Sequence, residues 1–122
     1  MIETIPGLPD GVIGFEAVGE VSADDYKDVL IPAVEAALKG DRIRFLYVLG
    51  ERFEGMSAGA MWEDTKVGFE HLRAWERMAL VTDVEWIGHT VKAFGWTIPA
   101  QVRVFPVAER AAAEAWVAAD AS

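Results

Sequence analysis

The segment Phe53-Glu54-Gly55-Met56-Ser57-Ala58-Gly59-Ala60-Met61-Trp62 holds the most chemical promise in the chain. It follows the most strand-like run, Arg42 to Leu49, and opens an amphipathic helix. A small, polar Ser-Ala-Gly turn between a buried strand and a helix is where open α/β sheets place binding sites. A hydroxyl there stands at the positive end of a helix dipole, where free amides stabilise a phosphate. Ser57 is therefore read in two ways: as the N-cap of its helix, or as a phosphoacceptor or ligand-contacting hydroxyl.

The helix that follows carries Glu63, Asp64, Lys66, Glu70 and His71. Glu63 with Lys66 and Lys66 with Glu70 have the spacing of helix-surface ion pairs, which reads as a solvated charged face. Asp64 and His71 lie two turns apart on one side, where a carboxylate orients an imidazole for proton transfer. No nucleophile or oxyanion motif accompanies them, so an enzyme is not expected and no catalytic residue is assigned. His71 and His89 lack any zinc-ligand spacing, and the chain has no cysteine. Neither a Gly-x-x-x-x-Gly-Lys loop nor a Gly-x-Gly-x-x-Gly turn is present, so no metal and no cofactor is expected. Trp62, Trp75, Trp86, Phe94 and Trp96 fall near helix edges and loops. Such residues cover a sheet and fill core ends, or they wall an apolar pocket or partner surface. The candidate surface comprises Trp62, Asp64, Lys66, Trp86, Phe94 and Trp96, with Val84–Phe94 as a lid.

The rest of the chain must position these groups. Its 122 residues suit one domain with a single sizeable core, and 52% hydrophobic content points to a globular fold. No apolar run approaches the ~20 residues of a membrane span. Met1–Pro6 has no basic region and no long apolar stretch, so a cytoplasmic location is expected. The net charge of −9 repels nucleic acid and anionic membrane surfaces, leaving a protein partner or an apolar small molecule.

Met1–Ile5 and Val12–Val21 read as two strands joined by the turn-rich Pro6–Gly11, an antiparallel hairpin. Ser22 or Asp24 caps a helix whose inward face holds Tyr26, Val29, Leu30, Ala33, Val34, Ala37 and Leu38. Pro32 predicts a kink or a split near Ile31. Arg42–Leu49 reads as a strand buried on both faces. Ala58–Leu72 is helical, with Met61, Thr65, Gly68, Phe69 and Leu72 as its apolar stripe. Glu76–Thr82 is a further buried strand. Thr82 and Glu85 have capping-box spacing for a helix that Gly95 stops, with Ile87, Val91 and Phe94 inward. Ala100–Phe105 is an edge strand, and Pro106 opens an Ala-rich helix holding Ala112, Ala115, Trp116 and Ala119. The order β-β-α-β-α-β-α-β-α predicts a single α/β domain: a five-stranded, mixed, mostly parallel sheet flanked by helices. Apolar surface at the last strand and helix suggests a homodimer.

This order, with Val29-Leu30-Ile31-Pro32-Ala33-Val34-Glu35, Phe53-Glu54-Gly55, Trp62-Glu63-Asp64-Thr65-Lys66, Glu76-Arg77-Met78-Ala79-Leu80-Val81-Thr82-Asp83, Trp86 and Ala100-Gln101-Val102-Arg103-Val104-Phe105, resembles the STAS domain of bacterial anti-sigma-factor antagonists. More closely, the chain resembles the SpoIIAA-like family, a divergent STAS-like group also likened to the lipid-binding CRAL-TRIO fold. In regulatory STAS domains a phosphorylatable Ser follows the third strand in an Asp-Ser-Ser-Gly type turn. Ser57 occupies the matching place, flanked by Met56 and Ala58 rather than by an acidic residue or a second Ser. The resemblance implies a non-enzymatic binding or regulatory module that presents the Ser57 helix N-terminus and nearby aromatics to a protein. The alternative it implies is a carrier or sensor of a hydrophobic, lipid-like small molecule.

Overall fold

The computed structural model describes residues 1–9, 11–37, 43–70, 74–95 and 100–119. In chain order the strands are β1 (Ile2–Thr4), β2 (Val12–Ala17), β3 (Gly19–Val21), β4 (Ile43–Leu49), β5 (Phe53–Met56), β6 (Trp75–Thr82) and β7 (Gln101–Phe105). The helices are α1 (Ala23–Asp25), a π-helical turn Tyr26–Leu30, α2 (Ile31–Ala37), α3 (Ala58–Glu70), α4 (Glu85–Gly95) and, after a 3-10 turn Val107–Glu109, α5 (Arg110–Ala118).

Alternation within β4 organises the molecule. Ile43, Phe45, Tyr47 and Leu49 enter one core, and Leu46 and Val48 enter the other. A strand shows successive side chains to opposite faces, so a continuous apolar run requires cover on both. The sheet runs β1-β2-β4-β6-β7, with β1 antiparallel to β2 and all other pairs parallel, as expected from the order of elements. Each crossover steps one strand in the same direction. Right-handed connections then place α2, α3 and α4 on one side, and Leu30, Val34, Ala60 and Ile87 pack in the first core. α5, following the last strand, closes the other side with Ala113 and Val117 against Leu46, Val48, Ala79, Val81 and Phe105. The strand order never reverses, so the sheet lacks the crevice where doubly wound sheets bind ligands.

Several local expectations are corrected. The predicted strand Val12–Val21 breaks at Val18, because Gly19 adopts φ +65°, which turns the chain out of the sheet. The residues after it form β3, which pairs in parallel with β5, so Phe53–Met56 is a strand and not merely a turn into a helix. Among the described side chains of α3 the inward residues are Ala60 and Glu63, while Met61 and Thr65 of the predicted stripe are exposed; the side chains of Gly68 and Phe69 lie outside the described set. On α5, Ala113 and Val117 are buried and Trp116 packs against the same core. On α3 the short Ala60 side chain lets the helix axis approach its support.

Ser22 caps α1 through a reciprocal capping box with Asp25. The predicted split near Ile31 takes the form of the π-turn, in which the Ile31 N–H donates to the carbonyl of Tyr26. Pro32 has no N–H and its ring crowds the carbonyl four residues back, and the wider turn ahead of it accommodates both. Thr82 does not complete a capping box; its hydroxyl accepts from the Val84 N–H, and α4 starts at Glu85.

Candidate functional site

Ser57 stands directly after β5, and its N–H donates to the Val21 carbonyl (2.9 Å), extending the β3–β5 pairing to the start of α3. Its Oγ accepts from the Ala60 N–H (3.1 Å), so the hydroxyl is the N-cap of α3 and is half-buried. The paired strands therefore launch two helices side by side, one capped by Ser22 and one by Ser57. They meet closely: a Cβ on Gly59 would lie 3.1 Å from Ala23 Cβ.

Beneath this junction runs a polar chain through an apolar core. Tyr26, from the π-turn, donates its hydroxyl to Asp64 Oδ1 on α3 (2.9 Å). The Tyr26 and Tyr47 hydroxyls are 3.0 Å apart. Tyr26 has one proton and gives it to Asp64, so Tyr47, from the centre of β4, is the donor to Tyr26. Tyr26 is fully buried and Tyr47 nearly so. Lost hydration raises both phenols well above their ordinary range, and Asp64 nearby raises them further, so both stay protonated. Asp64 is exposed, with its Oδ1 against the buried Tyr26 hydroxyl. Lost hydration raises its carboxyl above the ordinary value, while water access and the Tyr26 hydrogen bond restrain the rise.

The neighbouring residue behaves differently. Glu63, expected on a solvated face, is buried, with Lys27 at 4.0 Å and Lys66 at 3.7 Å. Both lysines therefore attend Glu63, and among the described residues Asp64 has a phenol and no cation as its partner. Outside, Met61, Trp62, Thr65 and Lys66 occupy one face of α3 at i, i+1, i+4 and i+5. Trp62 is 64% exposed and Met61 43%.

Of the other candidates, Trp86 lies on α4 and is 52% exposed. Only the backbone of Phe94 is described, in α4, and Trp96 and His71 lie outside the described residues, as do Leu38 and Leu72. The structure brings Ser57, Trp62, Asp64 and Lys66 together on α3. Trp75, grouped in the sequence with the surface aromatics, is instead in the core, 5.6 Å from the Phe45 ring. His89 is exposed, and among the described residues no three His, Asp or Glu side chains gather as metal ligands would. No helix of the described residues is long and apolar enough to cross a membrane.

Sequence reasoning missed Tyr26 and Tyr47 as site residues. A signal existed: the chain has two tyrosines, both at positions patterned as core. A buried phenol needs a partner, and two of them with one polar residue on a facing helix is the least costly solution.

Comparison with known proteins agrees with this architecture. The sequence model of a family described as SpoIIAA-like matches residues 12–118. The chain is also similar to the crystal structure of an uncharacterized protein of the DUF3478 family with a SpoIIAA-like fold, from Shewanella loihica PV-4. The TM-score is 0.75 at 27% identity, covering 96% of this chain and 92% of that one. No curated protein matches the chain.

Proposed function

The chain belongs to the SpoIIAA-like family, and on that footing we propose that it is a small non-enzymatic binding and regulatory module. It acts in the cytoplasm by presenting the outer face of α3, from Ser57 through Met61, Trp62 and Lys66, to a protein partner. One observation carries this reading: Trp62 and Met61 are adjacent, large, apolar and open to solvent on the turn that follows the Ser57 cap. Tryptophan is enriched among residues that dominate binding energy, and folding alone does not favour leaving it exposed. Ser57 sets the start of that face, so a modification there adds charge at the edge of the surface.

The test places a photo-crosslinking residue at position 62 and, as a control, at position 112 on α5, in the producing cell. A partner captured from 62 and not from 112 supports the reading. Trp62→Ala then lowers its capture more than tenfold, the loss expected of a hot-spot residue, with folding stability changed by no more than about 0.5 kcal/mol. Equal capture from both positions, or a partner indifferent to Trp62→Ala, Ser57→Ala and Ser57→Asp, overturns it. Native mass spectrometry of the purified protein separates the rival class: a small molecule lost on denaturation would make the protein a carrier. The same spectrum counts subunits, the free edge of β7 being where a second copy would add.

A further inference from the structure

We propose that Asp64 selects the partner of α3. Its carboxylate, held from the core by the Tyr47–Tyr26 hydroxyl chain, receives an arginine side chain from the protein that docks on Met61 and Trp62. This names the partner's chemistry at the proposed recognition face and rests on that reading. The geometry carries it. Asp64 is exposed, yet its Oδ1 accepts from the Tyr26 hydroxyl at 2.9 Å, and the Tyr47 hydroxyl stands 3.0 Å behind that of Tyr26. An exposed carboxylate ordinarily turns freely in water; this one is tied to a phenol with no exposure at all. Its position is set before any partner arrives, which lowers the ordering cost of binding.

The chain of hydroxyls occupies one carboxylate oxygen. Oδ2 has no hydrogen-bond or ion-pair partner among the described residues. The nearest lysines are engaged elsewhere: Lys27 on the π-turn and Lys66 on α3 both pair with Glu63. A carboxylate without a counter-ion, in a chain of net charge −9, fits a partner with a basic surface. A cation that meets Oδ2 completes the arrangement, and a carboxylate brought to the same place is repelled, so Asp64 both attracts and excludes. A bond that only stitched α3 to the π-turn would need one acceptor and no charge, which asparagine supplies.

The helix sets where the partner's cation must lie. At about 100° per residue, the order around α3 is Asp64, Met61, Thr65, Trp62, Lys66. The exposed apolar pair Met61 and Trp62 is therefore bordered by the open carboxylate on the Met61 side and by the Glu63–Lys66 ion pair on the Trp62 side. The partner carries its cation on one flank of its apolar anchor, which fixes the orientation of docking. Arginine suits the place better than lysine. Its rigid fork offers several donors to a carboxylate that is already held still, and arginine is enriched at interfaces where lysine is depleted.

The probe is a displayed library of random peptides, selected on the purified full chain and counter-selected on Trp62→Ala. Wild type is expected to enrich peptides that carry an arginine at a fixed spacing from an apolar residue. Replacing that arginine by glutamine weakens binding to wild type about tenfold. On Asp64→Asn, which keeps the acceptor for Tyr26 and removes only the charge, the same replacement has no more than about a twofold effect. Tyr26→Phe releases the carboxylate and gives an intermediate effect of the arginine, with the loss caused by Trp62→Ala unchanged. A stitch alone would weaken all peptides equally, with or without arginine. Trp62-dependent peptides that show no preference for arginine, that take lysine equally well, or whose arginine matters as much on Asp64→Asn, overturn the inference and keep the recognition face. A library that yields no Trp62-dependent peptide overturns both.

Discussion

The two faces of the sheet use buried polarity for different purposes. Under α5, Arg77 Nη1 donates to the carbonyls of Trp116 (2.6 Å) and Ala119 (3.3 Å), and Arg44 Nη1 donates to those of Val117 (3.1 Å) and Ala119. These are the carbonyls a helix leaves unpaired at its C-terminus, where the dipole also favours cations. The Arg77 and Arg103 guanidiniums lie 5.2 and 5.4 Å from the Trp116 ring, adding cation–π contact. Both guanidiniums fasten backbone there, Arg44 pairing also with the Glu76 carboxylate, and guanidinium does not titrate in the working range. Under α2 and α3, phenols and a carboxylate bond side chain to side chain, one member meets water, and the nearby helix face leaves tryptophan exposed. The first arrangement is a fastening, and the second holds groups whose contacts can change.

Adjacent residues of β4 allow the comparison to be broken. Leu46 is fully buried against the α5 core and Tyr47 lies on the opposite face. Leu46→Ala is expected to cost about 2–5 kcal/mol in urea denaturation, from lost burial and the cavity left behind. A cost below 1 kcal/mol would mean that the α5 face is loosely packed and is not the stable side of the sheet.

Next in size is Arg77→Met, which keeps the aliphatic stem over Trp116 and removes the donors to the helix end. A loss of about 1–3 kcal/mol is expected, since bonds from charged groups are the stronger class. Hydrogen exchange should place the loss in the last turn of α5 and leave α3 unchanged. Fraying of α3 in this variant would show that the two faces are coupled and that the separation drawn between them is false.

How much of this was legible in the sequence follows from how far apart the interacting residues are. The parallel sheet, its β1 edge and the helices around it depend on local periodicity and on the handedness of crossovers, and both are carried by short stretches such as Ile43–Leu49. The break at Gly19 was harder, because glycine in a strand pattern permits a positive φ without requiring it. On α3 the spacing begun at Met61 suggests burial by residue type, whereas Ala60 is the buried residue and Gly59 lets α3 approach α1. Ser57 was found because capping is local. Tyr26, Tyr47 and Asp64 lie 21 and 38 positions apart along the chain, and only the folded arrangement of three elements brings their oxygens together.

The smallest stability effect, and the most discriminating, is expected from Tyr47→Phe. Phenylalanine retains the ring packing against Phe45 (5.7 Å) and Tyr26 (6.5 Å). It removes one hydrogen bond, and Tyr26 still donates to Asp64. The expected cost is about 0.5–1.5 kcal/mol, well under that of Leu46→Ala one residue away. The unequal pair follows from what each side chain supplies: Leu46 supplies volume to a closed core, and the Tyr47 hydroxyl supplies polarity to a chain that ends in water. Tyr47→Phe also leaves the Tyr26 hydroxyl without its own donor, so the α3 amides should exchange faster while those of α5 do not. A loss as large as that of Leu46→Ala, spread over both faces, would instead make the hydroxyl chain the organising centre of the whole core. The distinction between a fastened face and a changeable one would then have to be abandoned.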